Sequence, residues 1–71
     1  MSKNGFTAVV GRRIKKFRLD LGISQEELAS ISFVDRTYLC QIELGTANPT
    51  LRVLCRLSRA LGTSVSEITR P

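Results

Sequence analysis

The sequence of 71 residues contains no histidine, and that absence removes the usual general base. Neither a Ser–His nor a Cys–His nucleophile arrangement can be assembled from it. Cysteine is scarce: Cys40 and Cys55 are the only two, and no CxxC occurs. A zinc site would need more ligands than that. Two intracellular free thiols are expected rather than a disulfide. No glycine-rich phosphate loop is present. No hydrophobic run approaches the length of a membrane span. The opening MSKNGFTAVVGRR has a short apolar patch without a credible cleavage site, so no signal peptide is expected. These absences predict a cytoplasmic protein that is not an enzyme and uses no metal or other cofactor.

Charge is present, and it is lopsided. Eleven Lys and Arg against six Asp and Glu give a formal charge of +5 and a pI near 10.0. In so short a chain this favours a polyanionic partner, the alternative being a merely solvated basic surface. RRIKKFR at 12–18 holds five of the cations. They flank core residues instead of lining one face of a free amphipathic helix, so nucleic acid fits better than a membrane. A chain this short buries roughly 60% of the surface its unfolded form exposes. Its stability should be marginal, and dimerisation would help.

Residues 1–6 are expected to form a flexible N-terminal arm, and residues 7–71 one domain. Over 7–21, Val10, Ile14, Phe17 and Leu21 recur at helical spacing, and Gly22 ends the helix. Ser24-Gln-Glu-Glu27 is a capping box opening a second helix, which buries Leu28 and Ala29 and ends near Ser32. Asp35 can cap a third helix, with Leu39 and Ile42 inward and Gly45 in the turn that stops it. A loop over 46–49 leads to a fourth, with Leu51, Leu54, Leu57 and Leu61 on one face. Ser64-Val-Ser-Glu67 reads as a second capping box, opening a short fifth helix with Val65 and Ile68 inward. No two-residue alternation points to a strand. The expected class is all-α, a compact five-helix domain.

The second and third helices are joined by three or four residues, as in a helix-turn-helix. In such a unit the second helix lies in the DNA major groove while the first crosses the backbone. The outward positions of the third helix carry a guanidinium, a hydroxyl and an amide, groups suited to reading base edges. With SQEELA at 24–29, DRTYL and QIE within 35–43, NPTL at 48–51 and ALG at 60–62, the chain resembles the Cro/repressor (XRE-type) helix-turn-helix family over residues 8–68. DRTY also resembles the recognition segment of the small controller proteins of restriction–modification systems.

The resemblance implies a homodimer on double-stranded DNA, with one recognition helix per half-site of a pseudopalindromic operator. By position it makes Arg36, Thr37 and Gln41 the base contacts. Arg36 can pair with guanine O6 and N7, and Gln41 suits adenine. Thr37 offers a hydroxyl and a methyl. Gln25, at a helix start that favours phosphate, is implied as a backbone contact, with Tyr38, Thr46 and Asn48 as lesser ones; the ring of Tyr38 could instead pack into the core. Arg18 and Glu43 are implied as a partly buried structural ion pair. The exposed apolar ends of the last two helices, with Leu61, Val65 and Ile68, are the expected dimer interface. RNA polymerase would be a further partner only for an activator.

Two departures from the family pattern stand out. Phe33 occupies a turn position where relatives commonly have glycine, and partial burial of its ring is expected to compensate any strain. Leu44 and Thr46 replace positions that are often basic. Cys40 sits among the outward positions as a small space-filler. The reading that results is a sequence-specific transcriptional regulator. Its rivals are an antitoxin-type protein-interaction module with secondary DNA binding, and a nonspecific nucleic-acid binder that would leave the outward Arg36, Thr37 and Gln41 unexplained.

Overall fold

In the computed structural model, which describes residues 5–70, five helices follow one another: α1 (Gly5–Asp20), α2 (Gln25–Ser32), α3 (Arg36–Leu44), α4 (Leu51–Ala60) and α5 (Val65–Thr69). No strand occurs among the described residues. The first helix starts at Gly5, inside the segment expected to be an arm; residues 1–4 of that segment lie outside the described residues.

The starts of these helices follow from local chemistry. Ser24 Oγ accepts from the Glu27 amide at 3.0 Å, and the Glu27 carboxylate accepts from the Ser24 amide at 2.8 Å, so both halves of the first capping box form. The second forms only by half. Ser64 Oγ accepts from the Glu67 amide, but the Glu67 carboxylate turns away to Arg13 and Arg70. Two cations outbid one backbone amide for an anion. Thr50, which the sequence reading passed over, caps α4 by accepting from the Val53 amide at 3.2 Å.

None of these helices would be stable alone; packing of their apolar faces supplies the stability. α1 lies against α3 and α5, and α2 against α3 and α4. Val10, Ile14, Leu28, Leu39, Ile42, Leu57 and Ile68 are fully buried, each contributing about 1.5–3 kcal/mol relative to exposure. The buried line of α1 is Thr7, Val10, Gly11, Ile14 and Arg18. Leu21, expected on that line, lies past the helix end and is exposed. Leu51 also leaves its expected face. It opens α4 at 68% exposure, beyond the edge of the core that Leu54, Leu57 and Leu61 fill.

The dimer-interface expectation needs correction for two residues. Leu61 is 5% exposed and Ile68 is 0%, because both complete the core of a single chain. They leave almost no surface on this chain to offer a partner. Val65 is half-buried, and Leu51 is the large apolar side chain that α4 leaves in water.

Candidate nucleic-acid interface

The third helix has two sides with different work. Leu39, Ile42 and Glu43 face inward, while Arg36, Thr37 and Gln41 are exposed. Asp35 caps the helix, its carboxylate accepting from the Tyr38 amide at 3.2 Å. That fixes the first turn, from which Arg36 and Thr37 project. A shallow surface depression of about 390 Å³ is lined by Gln25, Arg36, Thr37, Cys40 and Gln41. The three expected base-reading residues are therefore brought together, with Gln25 at the head of α2 beside them. Cys40 is half-buried between them.

The helix is held from behind. Arg18 Nε donates to Glu43 Oε2 at 2.8 Å and Nη2 to Oε1 at 3.0 Å, a two-pronged pair with side chains 9% and 3% exposed. Arg18 Nη1 also donates to the Ile23 carbonyl at 2.9 Å, tying the loop before α2 into the same knot. The hydrogen bonds to Glu43 hold the guanidinium above its ordinary pKa, against the opposing effect of burial, and the Glu43 charge adds to the rise. Glu43 stands in the last turn of α3, where the helix dipole disfavours an anion. Its three charge-assisted hydrogen bonds overcome that.

The third of those bonds comes from Gln25, whose Nε2 donates to Glu43 Oε1 at 3.0 Å. The sequence had marked Gln25 for phosphate alone. In the structure it also latches α2 to the ion pair, so the residue at the edge of the depression and the buried pair form one unit.

A second feature that went unforeseen is Gly11. A Cβ there would collide with the main-chain carbonyl oxygen of Ile42 and come within 2.9 Å of that of Glu43. Backbone meets backbone at this crossing of α1 and α3. The available signal was a glycine in a helix interior, which costs about 1 kcal/mol relative to alanine and needs a packing reason.

The remaining candidates are placed less directly. Tyr38 is half-buried with its side chain against the core. Thr46 is exposed, and its hydroxyl donates to the Gln41 carbonyl at 3.2 Å, so it also closes the end of α3. Asn48 is exposed in the loop before α4. The basic run at 12–18 contributes less free charge than its composition promised. Arg13 pairs with Glu67 and lies over the Phe17 ring, Lys16 pairs with Asp20, and Arg18 with Glu43. Arg12 and Lys15 are exposed and make no ion pair among the described residues.

Phe33 departs from expectation. It ends α2 in the left-handed conformation, φ 59° and ψ 40°, and is 83% exposed. Its ring is not a plug between α2 and α3, since the α2–α3 turn is closed by its backbone hydrogen bonds and by the burial of Val34.

Five helices, with a capped α3 braced from behind and carrying a polar outward face, define a helix-turn-helix DNA-binding domain. Residues 14–68 match the family described as Helix-turn-helix, and the chain belongs to that family in its XRE-type branch. It is similar to the control protein C.SmaI of Serratia marcescens, 37% identical over 60 residues that cover 84% of this chain and 71% of that protein. Its structure resembles that of the restriction–modification controller protein C.AhdI from Aeromonas hydrophila, with a TM-score of 0.85 and 34% identity across 87% of this chain and 94% of the other. The N-terminal DNA-binding domain of SinR from Bacillus subtilis superposes with a TM-score of 0.86 and 34% identity, covering 90% and 94%. The chain is a DNA-binding transcriptional regulator. No helix among the described residues is long and apolar enough to cross a membrane.

Proposed function

We propose that this regulator acts in the cytoplasm as a homodimer on a pseudopalindromic operator, one α3 per half-site, and that it is a controller of a restriction–modification system. The observation that carries the reading is the shared outward face of Arg36, Thr37 and Gln41, with Gln25 at its edge. Its similarity to C.SmaI and C.AhdI supports the controller role. Arg36 reads guanine through two parallel N–H donors, and Gln41 reads adenine through its amide. Thr37 meets a base edge or a thymine methyl. Gln25 grips a phosphate at the start of α2, aided by Tyr38, Thr46 and Asn48. The exposed Leu51 and half-buried Val65 at the starts of α4 and α5 supply apolar contact for a two-fold partner.

An operator selected from randomised duplexes provides the test. Arg36→Ala should lose about 1–3 kcal/mol per half-site and relax preference at one base position. Gln25→Ala should weaken selected and random duplexes alike, with thermal unfolding run in parallel because Gln25 also bonds Glu43. Affinity should fall steeply with salt, log K dropping by roughly 0.9 per neutralised phosphate for each tenfold rise. Equal losses of Arg36→Ala on selected and random DNA would overturn the base-reading assignment. A strict monomer in sedimentation at micromolar concentration, with and without DNA, would overturn the dimer.

A further inference from the structure

The side of the molecule where α2 ends against α4 has a chemistry that DNA reading does not use. Arg52, Arg56 and Arg59 are exposed on α4 at a spacing that puts them on one face, and none makes an ion pair among the described residues. Beside Arg56 and Arg59 lies a surface groove of about 480 Å³, whose walls include Ile31 and Phe33 from the end of α2 and Cys55 from α4. No acidic residue lines it, and it shares no residue with the depression on α3.

Phe33 is the unusual component. An aromatic residue at positive φ carries strain that persists only where the surroundings impose it, and such residues cluster at functional positions. Here the ring gains almost no packing in return, because it stands in water. Ile31 beside it is also more than half exposed. Arg56 Nη1 lies 3.5 Å from the Phe33 carbonyl, which sets a guanidinium over the same turn. Exposed apolar side chains with adjacent unpaired arginines are the complement of an acidic segment that carries an apolar anchor. Arginine and aromatic residues are the side chains that dominate the energy of such contacts. A DNA backbone would satisfy the arginines but offers nothing for Phe33 and Ile31.

We propose that this groove binds an acidic peptide segment of another protein, seating an apolar side chain on Phe33 and Ile31 and carboxylates on Arg56 and Arg59. The two-pronged fit of guanidinium to carboxylate would set the register, and the strained turn would hold the ring presented before the partner arrives.

The two free thiols make the test specific, since Cys40 lies on the α3 face and Cys55 in the groove. The probe is a phage-displayed dodecapeptide library, selected on the intact wild-type chain after depletion on Phe33→Gly. Enriched peptides should carry Asp and Glu around an aromatic or aliphatic residue. They should bind about tenfold more weakly to Phe33→Gly and to Arg56→Ala/Arg59→Ala, both checked for unchanged helical content. They should slow alkylation of Cys55 by N-ethylmaleimide and leave Cys40 unaffected, whereas random-sequence duplex DNA should protect Cys40. Failure to enrich such peptides, or equal binding to the variants, would overturn the proposal. Equal protection of Cys55 by DNA would overturn it in favour of a DNA surface. Loss of self-association in Phe33→Gly would overturn it in favour of a contact between two copies of this chain.

Discussion

Two turns flank α3, and they are built on the same hydrogen-bond pattern from opposite materials. Leading into α3, the Val34 amide donates to the Ala29 carbonyl at 3.0 Å and the Phe33 amide to Ser30 at 3.4 Å. Leaving α3, the Thr46 amide donates to Gln41 at 2.9 Å and the Gly45 amide to Ile42 at 3.0 Å. Both are Schellman turns, and both need one residue in the left-handed region. That residue is Gly45 at φ 80° in the second turn and Phe33 at φ 59° in the first. Gly45 is buried and Phe33 stands in solvent. The conformation is imposed by the hydrogen bonds, and the identity of the residue only sets the strain. At the buried exit, next to Glu43, the chain uses the unstrained residue. At the exposed approach it tolerates the strained one, so the helix is anchored at its C-terminal end and presented at its N-terminal end.

The largest effect should come from breaking the anchored end. Removing Arg18 or Glu43 alone strands a buried charge, which costs about 3–5 kcal/mol. Arg18→Met/Glu43→Leu should recover part of that loss, and a double-mutant cycle by chemical denaturation checks the coupling; independent effects would show that the pair does not brace α3. The pH dependence follows from the direction of the Arg18 shift. A folded-state pKa above the unfolded one gives stability that is complete below the unfolded value and fades only as pH climbs through the folded one. The stability difference between wild type and the double variant should therefore stay constant between about pH 7 and pH 10.

Gly11→Ala attacks the same end without touching a charge. Overpacking costs about 1–3 kcal/mol, and here the obstacles are carbonyls fixed in a helix. The ~1 kcal/mol gained by replacing a helical glycine offsets only part. Thermal unfolding should show a midpoint several degrees lower. DNA affinity should fall as well, because α3 must shift to make room; an unchanged midpoint would mean that α1 and α3 separate freely at this crossing.

The anchored end was half legible in the sequence. Arg18 and Glu43 could be paired only through the family likeness, since twenty-five positions separate them and no periodicity links them. The five helices and the first capping box were readable because spacing and local hydrogen bonding specify them. Leu61 and Ile68 were expected on an exposed dimer face but lie in the core, because apolar periodicity marks a face without saying what covers it. The second capping box failed for a related reason. Ser64 and Glu67 have the right spacing, but Arg13, fifty-four positions away, takes the carboxylate. Gly11 signalled itself as a glycine inside a helix, but not which backbone it meets. In each case the missing information lay in tertiary contact, beyond the reach of local pattern.

The smallest effect, and the one that most sharpens the contrast between the two turns, is expected from Phe33→Gly. A left-handed L-residue costs roughly 1–2 kcal/mol, which glycine removes. Against this, glycine gives the unfolded chain more freedom, worth about 0.4–1 kcal/mol. At 83% exposure the ring has little packing to lose. The net should be a gain of about 0.5–1 kcal/mol, and a 1 kcal/mol gain raises the midpoint by about 4–8 °C in a domain of this size. Phe33→Ala separates the causes, since it deletes the ring but keeps a Cβ at positive φ. It should leave the midpoint nearly unchanged, below that of Phe33→Gly. If both variants rise together, the exposed ring is the source of instability. If both fall, the ring holds the α2–α3 turn in a way that its exposure conceals. Only Gly rising above Ala identifies a backbone that the approach to α3 requires and that phenylalanine accommodates under strain.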